Sequence, residues 1–300
     1  MTIEEILACP SCRKSLYRDD GYFKCVQCSR NYPVLEGDII DFICDDTEEG
    51  IHWDKEAETD HIHAAVSVPK EDTSNLFVKL PPALQTSMFE GMVHVDLGCG
   101  YGRTLPYAMI NTRPQVSIGV DISLTMLKKT REYARHYNVN PILIRGDISI
   151  LPLQSSIVDI IYSSAVLFHI EKSNVRKIIC EVARVLKQEG KVVFERSFPG
   201  RLNPDGLQTR VITGLFSSIL SPAWVRIYSY QEVRSIFTAG QYFSSLDIQP
   251  EGYRILPKTF FKYSFPKSAK EAINSINESV SRIFHFKNLF SSGWLIEAKK

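Results

Sequence analysis

From residue 91 to residue 197, short β-branched runs alternate with stretches of helical period, and few folds accept that order. VHVDLG (93–98) is followed by a helical stretch through about 112. VSIGVD (116–121) is followed by the amphipathic stretch SLTMLKKTREYARHY (123–137). ILIRGD (142–147) and VDIIYS (158–163) come next, and EKSNVRKIICEVARVLKQ (171–188) leads into GKVVFERS (190–197). Strands that alternate with helices make a parallel sheet covered on both faces, a doubly wound α/β fold. Ser123 is placed to cap the second helix, and Gly190 to end the long one in a left-handed turn.

Outside that block the pattern weakens. Residues 45–60 hold eight acids and one lysine with no apolar period, which reads as a solvated linker or an exposed helix. Residues 61–90 contain Pro69, Pro81 and Pro82, so only short helices are expected there. Residues 198–228, with three prolines between apolar clusters, read as a lid-like insertion. Residues 228–240 read as a helix, the following FSSLDIQPEGY as a strand, and SGWLIEAKK as the last strand. The chain is thus expected to divide into 1–44, a linker and helical flap at 45–90, and a large domain at 91–300.

With 16 Phe, 13 Tyr and 3 Trp the chain can bury a core, which excludes disorder as its main state. No apolar run approaches membrane-spanning length, and the start, MTIEEILACPSC, is acidic rather than signal-like. A cytoplasmic location is therefore expected. A net charge of +1 argues against a strongly basic nucleic-acid binder.

Seven cysteines, an odd count, argue for a reducing compartment. Cys9-Pro-Ser-Cys12 and Cys25-Val-Gln-Cys28 are two C-x-x-C knuckles twelve residues apart. Four thiolates on two turns suit a closed, structural Zn²⁺ site, whose binding energy a module too small for its own core would need. Tyr17, Tyr22 and Phe23 alternate with polar residues, as in a two-stranded ribbon. Cys44 and Cys180 read as small buried hydrophobes.

Val95-Asp96-Leu97-Gly98-Cys99-Gly100-Tyr101-Gly102 ends a strand and opens a helix. Glycines let the backbone turn tightly and approach a ligand, and the helix N-terminus favours a carboxylate or phosphate. The spacing G-x-G-x-G differs from the dinucleotide pattern G-x-G-x-x-G, which argues against a nicotinamide-dependent reductase. Asp96 can face an ammonium group. Asp121, at the next strand end, is placed for ribose hydroxyls. Asp147 can accept from an adenine amino group, with Ile148 against the ring. Cys99, Ile122 and Ser163 complete the candidate cofactor residues. All lie at the carboxyl edge of the expected sheet, where open α/β sheets bind ligands.

VDLGCGYG, GVDIS, RGDISILPL, VDIIYSSAVLFHI and EVARVLKQEGKVVF occur in that order within 91–197. In these elements the segment resembles the class I S-adenosylmethionine-dependent methyltransferases, closest to the small-molecule type that includes ubiquinone-pathway enzymes. The resemblance implies a Rossmann-like sheet of seven strands whose last, GWLIEAKK, is antiparallel. It implies Gly98, Gly100 and Gly102 around the methionyl part of S-adenosyl-L-methionine, Asp121 at the ribose and Asp147 at the adenine. Residues 1–44 resemble the zinc ribbons that precede some of these enzymes and those of methyltransferase activator subunits, with NYPVLEGDIIDFI matching the closing strand.

Methyl transfer from a sulfonium needs in-line positioning, and a general base only for a protic acceptor. His169, after the fourth strand, is the candidate base; orienting a loop is its plainer role. Glu195 is a weaker candidate, expected instead to pair with Arg196 or Arg103, and His52, His61 and His63 are expected at the surface. The expected acceptor is a small molecule. An RNA base is the alternative, because one group of ribosomal-RNA guanine methyltransferases carries a zinc module in the same place. Yet residues 1–44 hold five Lys/Arg against seven Asp/Glu, the wrong balance for docking RNA. Residues 253–290 counter with seven Lys/Arg, two Glu and interleaved aromatics, read as an amphipathic cap. A non-catalytic protein that binds a partner through the ribbon is the third reading.

Overall fold

Residues 1–43, 46–58, 89–102, 104–202, 226–251, 291 and 293–300 are described by a computed structural model, with the single positions 207, 272, 275, 276 and 279. Cys44, His61, His63, Arg103, most of the lid-like stretch and nearly all of 253–290 lie outside the described residues. The chain divides into two compact units. One comprises Met1–Ser163, Cys180–Val192 and Lys300; the other comprises Ser164–Ile179 and Val193–Lys299.

In the first unit a strand that is buried on both faces has parallel neighbours on both sides. Every residue of Val93–Leu97 is buried. Elements are numbered in chain order, so this strand is β5, after β1 (Leu16–Asp19), β2 (Tyr22–Cys25), β3 (Asn31–Leu35) and β4 (Ile39–Asp41). It pairs in parallel with β6 (Val116–Asp121) and with β8 (Val158–Ser164), and β6 pairs in parallel with β7 (Ile142–Arg145). The register sets Asp96 beside Gly119 and Asp121 beside Arg145. Two helices return the chain between these strands, α3 (Leu105–Thr112) and α4 (Leu124–His136). They are preceded in the chain by α1 (Ile3–Ile6) and α2 (Glu48–Ala57). Ser123 caps α4 by accepting the Met126 amide, as its position predicts. Met126, Leu127, Thr130, Tyr133 and Ala134 are the face that α4 buries.

The cysteine-bearing strands join this sheet. β1, β2, β3 and β4 pair antiparallel in succession, and β4 then pairs in parallel with β7, Ile39 beside Leu143 and Asp41 beside Arg145. Strands β1-β2-β3-β4-β7-β6-β5-β8 thus lie side by side in that order, the first four from the cysteine-bearing segment. NYPVLEGDIIDFI makes two strands instead of one, and the second is apolar enough to cover the β7 edge, with Ile39, Ile40 and Asp41 all buried.

The acid-rich stretch after β4 forms α2, capped by Thr47. It is docked, not merely solvated. Asp54 accepts from the Ser123 hydroxyl and from the Thr125 amide at 2.9 Å, so it supplies negative charge to the N-terminus of α4. Lys129 donates to the Ala57 carbonyl at 2.6 Å.

The long helix, α5 (Lys172–Val185), stops three residues earlier than expected, and β9 (Leu186–Glu195) begins at once. Gly190 lies inside β9, and the left-handed residue is Glu189, at φ 68°. Gly190 is required for room: a Cβ there would sit 2.8 Å from the Lys187 carbonyl oxygen and 3.1 Å from that of Val158. Cys180 is exposed on α5, contrary to the buried role expected of it, because the helix buries Val175, Ile178, Ile179 and Val182 instead.

The second unit packs aromatic rings edge to face. Phe198 meets Phe194, Tyr228 and Phe237 with ring centroids 5.1–6.2 Å apart. Helix α6 (Tyr230–Thr238) opens with a capping box between Ser229 and Glu232. β10 (Ser245–Pro250) pairs antiparallel with β11 (Trp294–Lys299), the last strand expected from sequence. β11 buries Trp294, Ile296 and Ala298 in strict alternation.

His94 is wholly buried in β5, its Nδ1 2.9 Å from the Ser117 hydroxyl and its ring stacked on Phe89. Burial pushes its pKa from 6.5 down to about 4. The unfolded chain then binds the proton more readily, so stability falls as pH drops from about 6.5 toward 4. Urea unfolding at pH 7, 5 and 4 is expected to show a loss of at most about 3 kcal/mol from this group. A His94→Gln variant is expected to lack that part of the slope.

Candidate functional site

The glycine loop between β5 and α3 is built on three left-handed residues. Gly98, Gly100 and Gly102 have φ of 66°, 56° and 83°. Side chains rarely accept that conformation, so the G-x-G-x-G spacing is a backbone requirement. At Gly102 a Cβ would also lie 2.7 Å from the Thr130 Cγ2. The loop is held from both ends. Gly98 and Cys99 donate to the Val120 carbonyl at 2.8 and 3.1 Å, and the Thr130 hydroxyl donates to the Gly100 carbonyl at 2.6 Å.

Asp121 closes the arrangement. One carboxylate oxygen accepts the Gly100 amide at 2.8 Å and the other accepts the Ser123 amide at 2.9 Å. The residue is 8% exposed. Burial pushes its carboxyl above the ordinary carboxylate range, and nearby Asp54 adds to that, against the pull of the amides. Each oxygen has a lone pair left for a hydroxyl donor.

The other sequence-predicted residues take varied places. Asp96 is 2% exposed and accepts from the Thr104 hydroxyl. Cys99 turns its thiol into an apolar cluster with Ile39, Leu105, Leu127 and Leu143; burial keeps it protonated. Ile122 is half-buried, and its carbonyl accepts from the Arg145 guanidinium at 3.3 Å. Asp147 is exposed and accepts the Ser149 amide at 2.7 Å, beside buried Ile148. The Ser163 hydroxyl is fully buried and donates to the Leu97 carbonyl at 2.9 Å, tying β8 to β5. Gly98, Gly100, Asp121, Ile122, Asp147 and Ile148 thus lie at or just past the carboxyl ends of β5, β6 and β7. Sequence reasoning missed Thr104, Thr130, Asp54 and Arg145, which hold that edge from elsewhere in the first unit. Only Thr104, the N-cap of α3 directly after the loop, carried a local signal.

In the second unit His169 ends a 3₁₀ turn (Leu167–His169), half-buried with its ring against Phe168 at 4.0 Å. Glu195 lies 3.6 Å from Arg196, one of the two ion partners expected for it.

The four paired cysteines converge. The sulfurs of Cys9, Cys12, Cys25 and Cys28 all lie within 4.8 Å of one another. A tetrahedral zinc with bonds of about 2.3 Å separates its sulfurs by about 3.8 Å, so the cluster has the size of a metal site. Each knuckle is followed by a left-handed residue, Arg13 at φ 63° and Ser29 at φ 55°. The Gln27 and Cys28 amides point at the Cys25 sulfur, both at 3.4 Å. Burial acts to raise the Cys9 thiol, but the Tyr32 hydroxyl at 3.1 Å and the backbone amides of Ser11 and Cys12 bring it down to about 6. Four soft ligands with donors to the thiolates fit a closed site with no open position for substrate.

Residues 95–194 match the family described as "Methyltransferase domain". A relative in Bacillus subtilis (strain 168), "Uncharacterized methyltransferase YcgJ", is 29% identical over 152 residues. That match covers 49% of this chain and 55% of the relative, so the chain spans about half the length of the curated relative it matches. Phosphoethanolamine N-methyltransferase 2 of Haemonchus contortus, solved with S-adenosyl-L-methionine, superposes with a TM-score of 0.52 at 14% identity. The match takes in 90% of this chain and 61% of that one. A SAM-dependent methyltransferase from Methanosarcina mazei superposes with a TM-score of 0.50 at 16% identity, over 74% of this chain and 99% of that one. At these identities the structures show a shared fold. Among the described residues no helix is long and apolar enough to cross a membrane.

Proposed function

With a methyltransferase domain in residues 95–194, we propose that the chain transfers a methyl group from S-adenosyl-L-methionine to a small-molecule acceptor. The observation that carries this is the bond from the Gly100 amide to Asp121, made inside that domain. It fixes a glycine loop and a carboxylate at neighbouring strand ends, as a nucleoside with an amino-acid tail requires. Asp121 would take the ribose hydroxyls, Asp147 and Ile148 the adenine, and the loop amides the methionyl carboxylate. Asp96, held by Thr104, would favour the ammonium. The cofactor supplies an electrophilic sulfonium methyl; the protein contributes position and, for a protic acceptor, a base. His169 is the residue proposed for that base. The acidic balance of residues 1–44 supports a metabolite over RNA.

The cysteine cluster is proposed to hold one structural Zn²⁺ through Cys9, Cys12, Cys25 and Cys28, with the thiolates neutralising the ion and fixing the two knuckles. We further propose that residues 1–44 act as a zinc ribbon and 91–300 as the catalytic domain.

Titration calorimetry with S-adenosylhomocysteine is expected to show binding by the native chain. Asp121→Asn removes a charged acceptor worth about 1.5–3 kcal/mol, so affinity should fall about 10- to 100-fold. Unchanged affinity in the folded variant would end the cofactor assignment. Elemental analysis is expected to give about one zinc per chain, and chelation should lower the thermal midpoint. A fully folded, metal-free protein refutes the metal assignment. Labelled methyl transfer into a cell extract is expected to mark the metabolite fraction, and His169→Gln should cut that transfer about 10²-fold or more if His169 is the base. Label in RNA, or no label at all, would favour the two other readings in turn.

A further inference from the structure

Arg145, at the carboxyl end of β7, is almost wholly buried, with 7% of its side chain exposed, and so is its partner Asp41, at 8%. The guanidinium uses its fork on three different segments. Nη1 donates to Asp41 of β4 at 3.1 Å, Nη2 to Asp46 beyond that strand, and Nε to the Ile122 carbonyl beyond β6 at 3.3 Å. The backbone repeats the pattern, since the Phe42 amide donates to the Arg145 carbonyl and the Gly146 amide to the Asp121 carbonyl, each at 2.9 Å. Asp41 is locked in turn by the Ile43 amide at 2.8 Å.

The consequence is geometric. Ile122 sits between Asp121 and the α4 cap Ser123, and Arg145 is one peptide from Gly146 and two from Asp147. One side chain therefore sets the spacing of the two strand ends assigned to the ribose and the adenine. The Asp41 carboxylate, from the cysteine-bearing hairpin, sets the position of that side chain. A buried pair kept for stability alone is a poor choice, because apolar residues of like volume often serve as well or better.

We propose that Asp41 and Arg145 are positioning residues for the nucleoside end of the cofactor crevice. They act through the Ile122 carbonyl and the β7 strand end, not by touching the cofactor. This rests on the cofactor reading above.

The test is calorimetry with S-adenosylhomocysteine and, separately, with adenosine, alongside thermal unfolding. Arg145→Lys keeps the charge but loses the fork, since an ammonium cannot reach Asp41, Asp46 and the Ile122 carbonyl together. It is expected to weaken both ligands by about tenfold, alike because the lost contact serves the nucleoside they share. The double variant Asp41→Leu/Arg145→Met is expected to unfold at or above the native midpoint, while both affinities stay about tenfold down. Native-like affinity in either folded variant overturns the proposal. So does a loss that the double variant restores together with stability, because that marks a purely structural pair. A native chain that binds neither ligand removes the cofactor reading itself, whereas native binding with undiminished variants removes this inference alone.

Discussion

The Asp121 carboxylate accepts one amide from the glycine loop and one from the start of α4, and it does so almost out of contact with water. Desolvating a carboxylate is costly, and two charge-assisted hydrogen bonds offset that cost only while both amides stay in place. The loop, the end of β6 and the first turn of α4 are therefore fixed by one group. Neither amide can move without leaving a buried charge short of a donor. The three left-handed glycines follow from the same demand, because the chain must reverse within five residues to bring the Gly100 amide back to β6.

Around that bond the first unit adds supports that are distant in sequence. Asp54 of α2 feeds the cap of α4, and Thr130 of α4 holds the Gly100 carbonyl. Arg13, directly after the first cysteine knuckle, donates to the Leu151 carbonyl at 2.8 Å and pairs with Glu181 at 3.0 Å. Glu181 also accepts the Leu151 amide, and Arg184 reaches the carbonyls of both Leu151 and Leu153. The segment after Asp147 is thereby pinned from Arg13 on one side and from α5 on the other. The cysteine-bearing strands are structurally part of the sheet that carries the candidate cofactor edge.

Much of this was legible in the sequence where the information is local. Apolar strands, the Ser123 cap, the glycine spacing and the paired cysteines each express a backbone or ligand requirement within a few residues. That β5, β6, β7 and β8 run parallel followed from strand–helix alternation. What was not legible depends on partners far along the chain. That Ile39–Asp41 would cover the β7 edge could not be read from two isoleucines and an aspartate after a turn. The roles of Asp54, Thr130 and Arg145 depend on which strand ends come together. Gly190 was misread because Gly after a helix signals a stop, whereas here it makes room for two carbonyls. Cys180 was misplaced because a cysteine amid apolar residues says nothing of which helix face it occupies.

The parallel pairing of β4 with β7 also orders events during synthesis. The four N-terminal strands pair with near neighbours in the sequence and can form as soon as they leave the ribosome. The partner of β4 is made about a hundred residues later, so a nascent chain carries an apolar, unsatisfied β4 edge until β7 emerges. At about 5–20 residues per second that interval lasts on the order of ten seconds. Arg145, which pairs with Asp41, the one charge on that strand, arrives with the same late strand.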